Sequence, residues 1–444
     1  MLEPNTIIVI EELDKNKILK KEFFSMLINL KSKRKVTEFL SMETILRILS
    51  VKAIYVIALE SLSVVFKKNI LMSGILVFCF GVLSVGCGKK SKNKTDDDVL
   101  PKEADQILEP VDSGPFLNLY QQGLDRYLGA YHPSESKKEK NGVIKHIFNN
   151  DVQEEGPLCF EGGQFNMSTR DGSNNKLVIF LQGGGFCGPE KCEAINYTIP
   201  LIPFGLLAKD GSSPVSDWNL GYVPYCDGSL FVGDSDADSD GDGVNDRYFR
   251  GIQNLSAALD VIRKAYPNPE SILLAGNSAG GMGTLFALPL IRRVYRDVQI
   301  DIVNDSGMGI FSENSAEKIL DYWSSWDFLP NCDSCILDEN GNLTGYLRYQ
   351  LNEDENIRVG HISSKRDEII TEAGIDAQNF ETELIQASQA LQTEFPERYE
   401  SLIAKGDEHT FILKQFTYSI GNTTVKKWVT DMLDNSEKWQ SIEE

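Results

Sequence analysis

Residues 271–283 combine a strand, a tight turn and a helix, and this combination constrains the fold more than any other segment. The apolar run at 272–275 is typical of a buried parallel strand, and a helix-compatible stretch follows the turn. The turn, 276–280, reads Gly-Asn-Ser-Ala-Gly and matches the G-x-S-x-G pattern of a nucleophile elbow. Glycines are needed there because a Cβ on either side of the serine would collide with the neighbouring strand or helix. We interpret Ser278 as a nucleophile; the alternative is an ordinary strand-to-helix turn made of small residues.

A second glycine-rich turn follows another apolar strand. The run at 177–181 reads Leu-Val-Ile-Phe-Leu and is followed by three glycines at 183–185. Glycines directly after a strand leave backbone N–H groups uncovered, and such a loop supplies half of an oxyanion hole in folds that carry a nucleophile elbow. We therefore predict an oxyanion hole built from the N–H groups of Gly184, Gly185 and Ala279. A loop that is merely flexible is the alternative.

Strand-like and helix-like segments alternate along much of the chain. The strand-like runs are 177–181, 221–226, 271–275, 299–304 and 357–363, and the helix-like stretches are 251–265, 284–296 and 380–405. This alternation predicts an α/β fold with a mostly parallel sheet and helices on both faces in a single catalytic domain. Extra helices are expected around 313–330, where Trp323 and Trp326 either belong to the core or line a cleft.

Several short motifs occur in order: Gly183-Gly184-Gly185-Phe186-Cys187, Val223-Pro224-Tyr225-Cys226, Tyr248-Phe249-Arg250-Gly251, the elbow and Asn304-Asp305-Ser306-Gly307. This series resembles the pectin acetylesterase/Notum family of carboxylesterases over roughly 156–411. The resemblance implies a variant α/β-hydrolase with a Ser…Asp…His triad. Plant members of that family remove acetyl groups from pectin, and the animal member Notum removes a fatty acyl group from a secreted signalling protein. Most relatives carry Trp in the glycine loop where this chain has Gly185 or Phe186, so the resemblance leaves the acyl length open.

The chain order of an α/β-hydrolase limits the choice of histidine. The triad histidine follows the serine along the chain, and of the four histidines, His132, His146, His361 and His409, only the last two lie far enough downstream. His409 lies in a turn before an apolar segment near the C-terminus, as expected of a catalytic loop. We predict His409 as the general base and then general acid, with His361 as the alternative.

The acid of the triad is expected after an intervening strand. Asp367 follows the strand-like run at 357–363, and it also falls where the family places its acid. We predict that its carboxylate orients the imidazole of His409. Asp305 follows a strand as well, and we interpret it as a residue that supports the site from behind.

Cysteine usage predicts an oxidising compartment. Two of the eight cysteines, Cys79 and Cys87, belong to the export signal described next. The even number that remains predicts three disulfides, Cys187–Cys192 and Cys332–Cys335 as small loops and Cys159–Cys226 as the long one. Zinc is the alternative, but the spacing does not form a pair of CxxC motifs.

Residues 65–86 are similar to a bacterial lipoprotein signal peptide. Lys67 and Lys68 precede an uncharged run at 70–86, and small residues precede Cys87. We predict a lipidated Cys87 and an exported, membrane-anchored protein that faces the periplasm or the cell exterior. The alternative is an uncleaved anchor, because the apolar run is near the lower limit for a membrane-spanning helix.

The predicted signal peptide separates an N-terminal extension from a tether and a folded domain. Signals of this kind normally start a protein, so we interpret 1–64 as a mis-assigned N-terminal extension with the true start near Val65. Residues 87–112 have no apolar periodicity and predict a flexible tether. Residues 113–440 form the expected esterase domain.

Charge narrows the class of partners. The formal net charge is −21, and residues 1–86 carry more basic than acidic side chains, so the remainder is more acidic still. This acidity argues against nucleic acid and against docking on anionic membranes. It also favours a neutral acetylated glycan over de-esterified, polyanionic pectin.

The acidic segment 234–246 contains a calcium-loop pattern. Its core matches the D-x-D-x-D-G start of an EF-hand-like loop, with Gly243 at the turn. The expected ligands are the carboxylates of Asp238, Asp240, Asp242 and Asp246 and the carbonyl of Val244. Phe249 stands where a bidentate Glu is usual, so a further ligand is expected from Asp234 or Asp236. A solvated acidic linker is the alternative.

These observations predict a serine carboxylesterase that acts on an acetylated polysaccharide through an acyl-enzyme on Ser278. Its catalysis requires no cofactor, Ca²⁺ is structural, and a monomer is expected. The alternatives are a Notum-like lipid or protein deacylase and a non-catalytic, calcium-stabilised surface lipoprotein.

Overall fold

The computed structural model describes residues 108–152, 156–312, 315–372 and 377–444. The predicted extension, signal peptide and lipidated Cys87, and the tether as far as residue 107, lie outside the described residues. The described part belongs to one compact unit. Across these ranges, no helix combines the length and the apolar character needed to cross a membrane.

The strands are β1 Glu135–Lys138, β2 Val143–Ile147, β3 Asn166–Arg170, β4 Leu177–Leu181, β5 Gly185–Cys187, β6 Cys192–Ala194, β7 Asn219–Val223, β8 Ser235–Ala237, β9 Arg247–Phe249, β10 Ser271–Asn277, β11 Gln299–Asp305, β12 Ile357–Ser364, β13 Tyr399–Ala404, β14 Ser419–Ile420, β15 Thr423–Thr424 and β16 Ile442–Glu443. The helices are α1 Leu117–Gln121, α2 Gly251–Ala265, α3 Ala279–Val294, α4 Ser315–Tyr322, α5 Thr344–Glu353, α6 Glu368–Glu372, α7 Ala377–Glu394 and α8 Val425–Leu433.

A large mixed sheet organises the described residues. Ten strands pair in the order β1-β2-β3-β7-β4-β10-β11-β12-β13-β16. The first four pair antiparallel, and every pairing from β7 to β16 is parallel. Parallel strands end at the same edge, so the loops after β4, β10, β11 and β12 lie side by side. The predicted α/β-hydrolase-like class is confirmed.

The core has two layers because successive side chains of a strand point to opposite faces. In β4, Leu177, Ile179 and Leu181 join a core that includes buried residues of α2, α3, α5 and α7. Val178 and Phe180 join the core on the other face, with Trp428 of α8. Both faces of the sheet are therefore covered, and the β4 sequence is apolar throughout for that reason.

One predicted element is wrong in its second half. The helix expected over 380–405 ends at Glu394, and 399–404 forms β13 instead. Pro396 accounts for the break, because proline cannot continue a helix and restricts the residue before it. All six residues of β13 are buried between β12 and β16. Burial on both faces removes the alternation that would have marked a strand in the sequence.

The disulfides pair as the sequence predicts: Cys159–Cys226, Cys187–Cys192 and Cys332–Cys335. Cys187–Cys192 closes the hairpin of β5 and β6, directly after the glycine loop. Cys159–Cys226 ties the segment before β3 to the segment after β7. Disulfides of this kind are typical of proteins in oxidising compartments.

Candidate active site

The turn at Ser278 has the strained geometry of a nucleophile elbow. β10 ends at Asn277 and α3 begins at Ala279, which leaves Ser278 between them with φ 57° and ψ −124°. A Cβ built on Gly276 would lie 2.1 Å from the carbonyl oxygen of Gly280, and one on Gly280 would lie 2.0 Å from that of Leu181. Both positions therefore require glycine, as the spacing predicts.

Three predicted site residues form one hydrogen-bonded chain. His409 Nε2 lies 2.8 Å from Ser278 Oγ, and His409 Nδ1 lies 2.8 Å from each carboxylate oxygen of Asp367. Asp367 is fully buried, whereas 19% of the His409 side chain is exposed. A carboxylate can only accept, so Nδ1–H donates to Asp367 and Nε2 accepts from the serine hydroxyl. This tautomer is the one a general base needs.

His361, the alternative base, lies elsewhere. It is in the middle of β12, paired with Asn304 and Ser401 of the neighbouring strands, and it is fully buried. Burial lowers its pKa to about 3, so the ring is neutral at ordinary pH. Within the described ranges neither ring nitrogen has a hydrogen-bond partner. The structure places His409, and not His361, against Ser278.

The glycine loop packs directly on the elbow. A Cβ on Gly183 would lie 2.3 Å from the Asn277 carbonyl oxygen and 2.8 Å from Ser278 Cβ, so the backbones touch. Gly185 has φ +76°, and a Cβ on it would lie 1.8 Å from the Glu193 carbonyl oxygen. The N–H of Ala279 stands at the first position of α3, where no intrahelical acceptor exists. The loop and the helix start are therefore neighbours, as the predicted oxyanion hole requires.

An aromatic cluster, Phe186, Phe311 and Trp323, lies beside the glycine loop. The Phe186 ring centroid is 6.4 Å from that of Phe311 and 6.2 Å from that of Trp323. Trp323 is fully buried, and its indole N–H donates to the Cys187 carbonyl at 2.7 Å. Trp323 is thus a core residue that supports the glycine loop. Phe311 was missed in the sequence because an isolated phenylalanine in a loop carries no periodic signal.

Trp326 lies apart from the candidate triad. With Glu317, Asp338, Glu383 and other residues it lines an acidic cavity of about 1000 Å³, and no triad residue is part of that lining. Its indole N–H donates to Asp321. The two tryptophans of this segment therefore have different surroundings, although they are only one helical turn apart.

The acidic loop lies between β8 and β9. Carboxylate oxygens of Asp238, Asp240 and Asp242 come within 4.8 Å of one another. Asp246 instead accepts hydrogen bonds from the backbone N–H and hydroxyl of Ser239, and Val244 is exposed.

The two carboxylates expected to complete the calcium site are engaged elsewhere. Asp234 accepts from Arg126 at 2.7 Å, and Asp236 pairs with Arg250 at 2.6 Å. Each arginine therefore competes with the expected role of its aspartate as the further ligand. Arg126 lies 108 positions from Asp234, so the sequence could not show that pair. Arg250 is only 14 positions from Asp236, but no local pattern marks the pairing.

The family comparison agrees with this geometry. The pectinacetylesterase family profile matches residues 208–325, which include the elbow and the Asn304–Gly307 motif. This part of the chain is therefore similar to the pectinacetylesterase family. It is 28% identical to pectin acetylesterase 4 of Arabidopsis thaliana over 187 residues, which is 38% of this chain and 45% of that protein.

The chain is also similar to proteins named palmitoleoyl-protein carboxylesterases. The palmitoleoyl-protein carboxylesterase notum1a of Danio rerio is 26% identical over 168 residues, 33% of this chain and 32% of that protein. The chain spans less than half of the length of these relatives. The family resemblance expected from the motifs is confirmed.

The buried histidine predicts a pH dependence of stability. The unfolded chain protonates His361 near pH 6.5, whereas the folded chain resists protonation until about pH 3. Below pH 6.5 the unfolded state therefore binds more protons at this residue, and the contribution of His361 to the free energy of unfolding falls as the pH drops. Between pH 7 and 5 this residue lowers the free energy of unfolding by about 2 kcal/mol. His361→Leu removes that contribution, which denaturant unfolding at both pH values measures.

The exposed Ile202 supplies the control. Ile202→Leu changes no ionisable group and should follow the wild-type pH dependence. Buried His146, whose pKa falls to about 4, keeps part of the slope in both variants. An unchanged slope in His361→Leu contradicts the assignment of a neutral buried imidazole.

Proposed function

We propose that this chain is a serine carboxylesterase that works through an acyl-enzyme on Ser278. The observation that carries the proposal is the continuous hydrogen-bonded chain from Asp367 through His409 to the Ser278 hydroxyl. The family of the matched domain supports it, since the relatives are named as pectin acetylesterases and carboxylesterases. Fold alone would not support an activity, because one fold hosts many functions.

In the proposed mechanism, His409 Nε2 takes the proton of Ser278 Oγ as this oxygen attacks the ester carbonyl. The oxyanion of the tetrahedral intermediate accepts from the N–H groups of Ala279 and of Gly184 and Gly185. The imidazolium then gives its proton to the leaving alcohol. Water, deprotonated by the same nitrogen, resolves the acyl-enzyme. Asp367 accepts from Nδ1–H and so holds the ring in the required tautomer.

Acetyl groups on a polysaccharide are the proposed substrate class. The names of the plant relatives support acetyl ester hydrolysis. The net charge of −21 favours a neutral glycan, because a polyanionic chain would be repelled. The notum1a match supports a second candidate, a lipid or protein deacylase. A non-catalytic surface lipoprotein is the third.

Chromogenic esters test the activity and separate these candidates. The full chain is expected to hydrolyse 4-nitrophenyl acetate faster than the butyrate and octanoate. Ser278→Ala should lower kcat by roughly 10⁴-fold or more, because the acyl-enzyme cannot form, and Asp367→Asn by a similar factor through the wrong tautomer. The exposed Ser212→Ala is the matched control and should leave kcat unchanged.

Each other outcome has a definite meaning. A preference for octanoate that Ser278→Ala abolishes identifies a deacylase of lipids or lipidated proteins. Turnover that survives Ser278→Ala rules out the proposed mechanism. No turnover of any ester rules it out as well and favours the non-catalytic lipoprotein.

We also propose that the enzyme works outside the cytoplasm, held to a membrane by lipid on Cys87. The sequence pattern at 65–87 and the disulfides of the described domain support this. Mass spectrometry of the native protein should find a diacylated N-terminal peptide that begins at Cys87. An N-terminal peptide that begins elsewhere and carries no acyl group contradicts the proposed anchor.

We further propose that the loop of Asp238, Asp240 and Asp242 binds structural Ca²⁺. The clustered carboxylate oxygens and the D-x-D-x-D-G pattern support it. With a dissociation constant of about 0.1 mM, 10 mM Ca²⁺ should stabilise the folded chain by about 2.7 kcal/mol, measured as a rise in melting temperature. Asp240→Asn should weaken the rise, and the exposed Asp210→Asn should keep it. No calorimetric heat and no melting shift at millimolar Ca²⁺ contradict the proposal.

A further inference from the structure

The dipeptide Asp305-Ser306 at the end of β11 contacts both partners of the candidate nucleophile–base pair. The backbone carbonyl of Asp305 accepts the Ser278 N–H at 2.8 Å. Its carboxylate accepts the N–H of Phe411 at 2.8 Å and that of Ile412 at 2.9 Å. Asp305 thus binds the elbow through its backbone carbonyl and the loop after His409 through its carboxylate.

Ser306 completes the contact with the histidine loop. Its hydroxyl accepts the Thr410 N–H at 3.2 Å. Three consecutive N–H groups directly after His409 are therefore bound by this dipeptide. Thr410 has φ 67° and Ser306 has φ 58°, so both chains take left-handed turns at the contact. Successive N–H groups in such turns form a concavity that favours a negative charge.

We propose that Asp305 and Ser306 are positioning residues that set the distance between His409 Nε2 and Ser278 Oγ by clamping residues 410–412 to the elbow. The inference rests on the proposed esterase function. This distance matters because misplacement of a catalytic group by about 1 Å can cost roughly 100-fold in rate. Neither residue is needed to touch the substrate.

The charge of Asp305 determines how strongly it binds the loop. Its carboxylate is completely buried, and both of the N–H groups that it accepts lower its pKa, but burial outweighs them and raises the pKa to about 7. Of the ionisable groups that act on it, His409 lowers this pKa and Asp367 raises it. Hydrogen bonds to an ionised acceptor are about twice as strong as neutral ones. Protonation of Asp305 below pH 7 therefore weakens the clamp.

Asp305→Asn mimics the protonated residue with little change of shape. With 4-nitrophenyl acetate we expect kcat to fall about tenfold at pH 8 with KM nearly unchanged, because the defect lies in the reacting geometry. The defect should shrink as the pH falls below 7, where the wild-type residue is itself protonated. Ser306→Ala should lower kcat less, and by a factor that does not depend on pH.

Stability separates this role from a structural one. Because the pKa of Asp305 is higher in the folded chain than in the unfolded one, the folded chain binds more protons between about pH 4 and 7, and stability is lost as the pH rises through this range. Asp305→Asn should therefore lose kcat at pH 8 without a matching loss of melting temperature. Asp260→Asn is the control: this buried carboxylate also accepts a distant backbone N–H, that of Gly129, and it pairs with Arg263 at 3.0 Å, but it has no contact with the triad. Because the variant breaks a buried ion pair, it should lower the melting temperature and leave kcat unchanged.

The outcomes are distinguishable. If the wild type shows Ser278-dependent turnover and Asp305→Asn keeps its kcat at every pH, the clamp is overturned while the esterase stands. A variant that does not fold leaves Ser306→Ala to decide, and an unchanged kcat there overturns the clamp equally. Absence of Ser278-dependent turnover in the wild type overturns the proposed function and the clamp with it.

Discussion

Parallel pairing of β4, β10, β11 and β12 is the constraint on which the candidate site depends. The register places Gly276 beside Leu181 and Asn277 beside Asp305. Each of these strands therefore ends at the same level, and its next residues enter one small region. Four separate parts of the chain therefore lie next to one another: the glycine loop, the elbow, the Asp305-Ser306 dipeptide and Asp367. A shift of one residue in this register would turn the following side chains to the opposite face.

Close backbone packing also brings these loops into direct contact, with no side chain between them. The glycines of the elbow and of the loop after β4 bring carbonyl oxygens to within about 2 Å of where a Cβ would stand. Strain at Ser278 is maintained because the surrounding strand, helix and glycine loop leave it no other conformation. Rigidity of this kind suits a site whose proposed oxyanion donors are backbone N–H groups, since these have fixed positions only when the backbone is fixed.

Much of the parallel sheet was predictable because its strands are short apolar runs bounded by turns. β4 and α2 have the predicted bounds, whereas the strand expected at 221–226 is observed at 219–223. The residues from β1 to β3 were not predicted. β1 and β2 are partly exposed antiparallel strands that mix charged and apolar residues, and the buried β3 reads Asn-Met-Ser-Thr-Arg, which is not an apolar run. The helix over 380–405 was extended too far because Pro396 was given too little weight.

Among the site residues, Ser278, His409 and Asp367 came from motif and chain order. The partners of Asp234 and Asp236 could not be inferred in this way.

By itself the sequence determined the elements whose cause is local: the glycines at the elbow, the apolar strands, the family motifs and the set of residues from which a triad could be drawn. The tertiary structure alone decided which histidine meets Ser278, because His361 and His409 satisfy the same chain order and differ only in what packs around them. It also decided that Asp305 binds the histidine loop rather than the imidazole. Hydrogen bonds between residues more than a hundred positions apart depend on the register of the whole sheet, which no local pattern encodes.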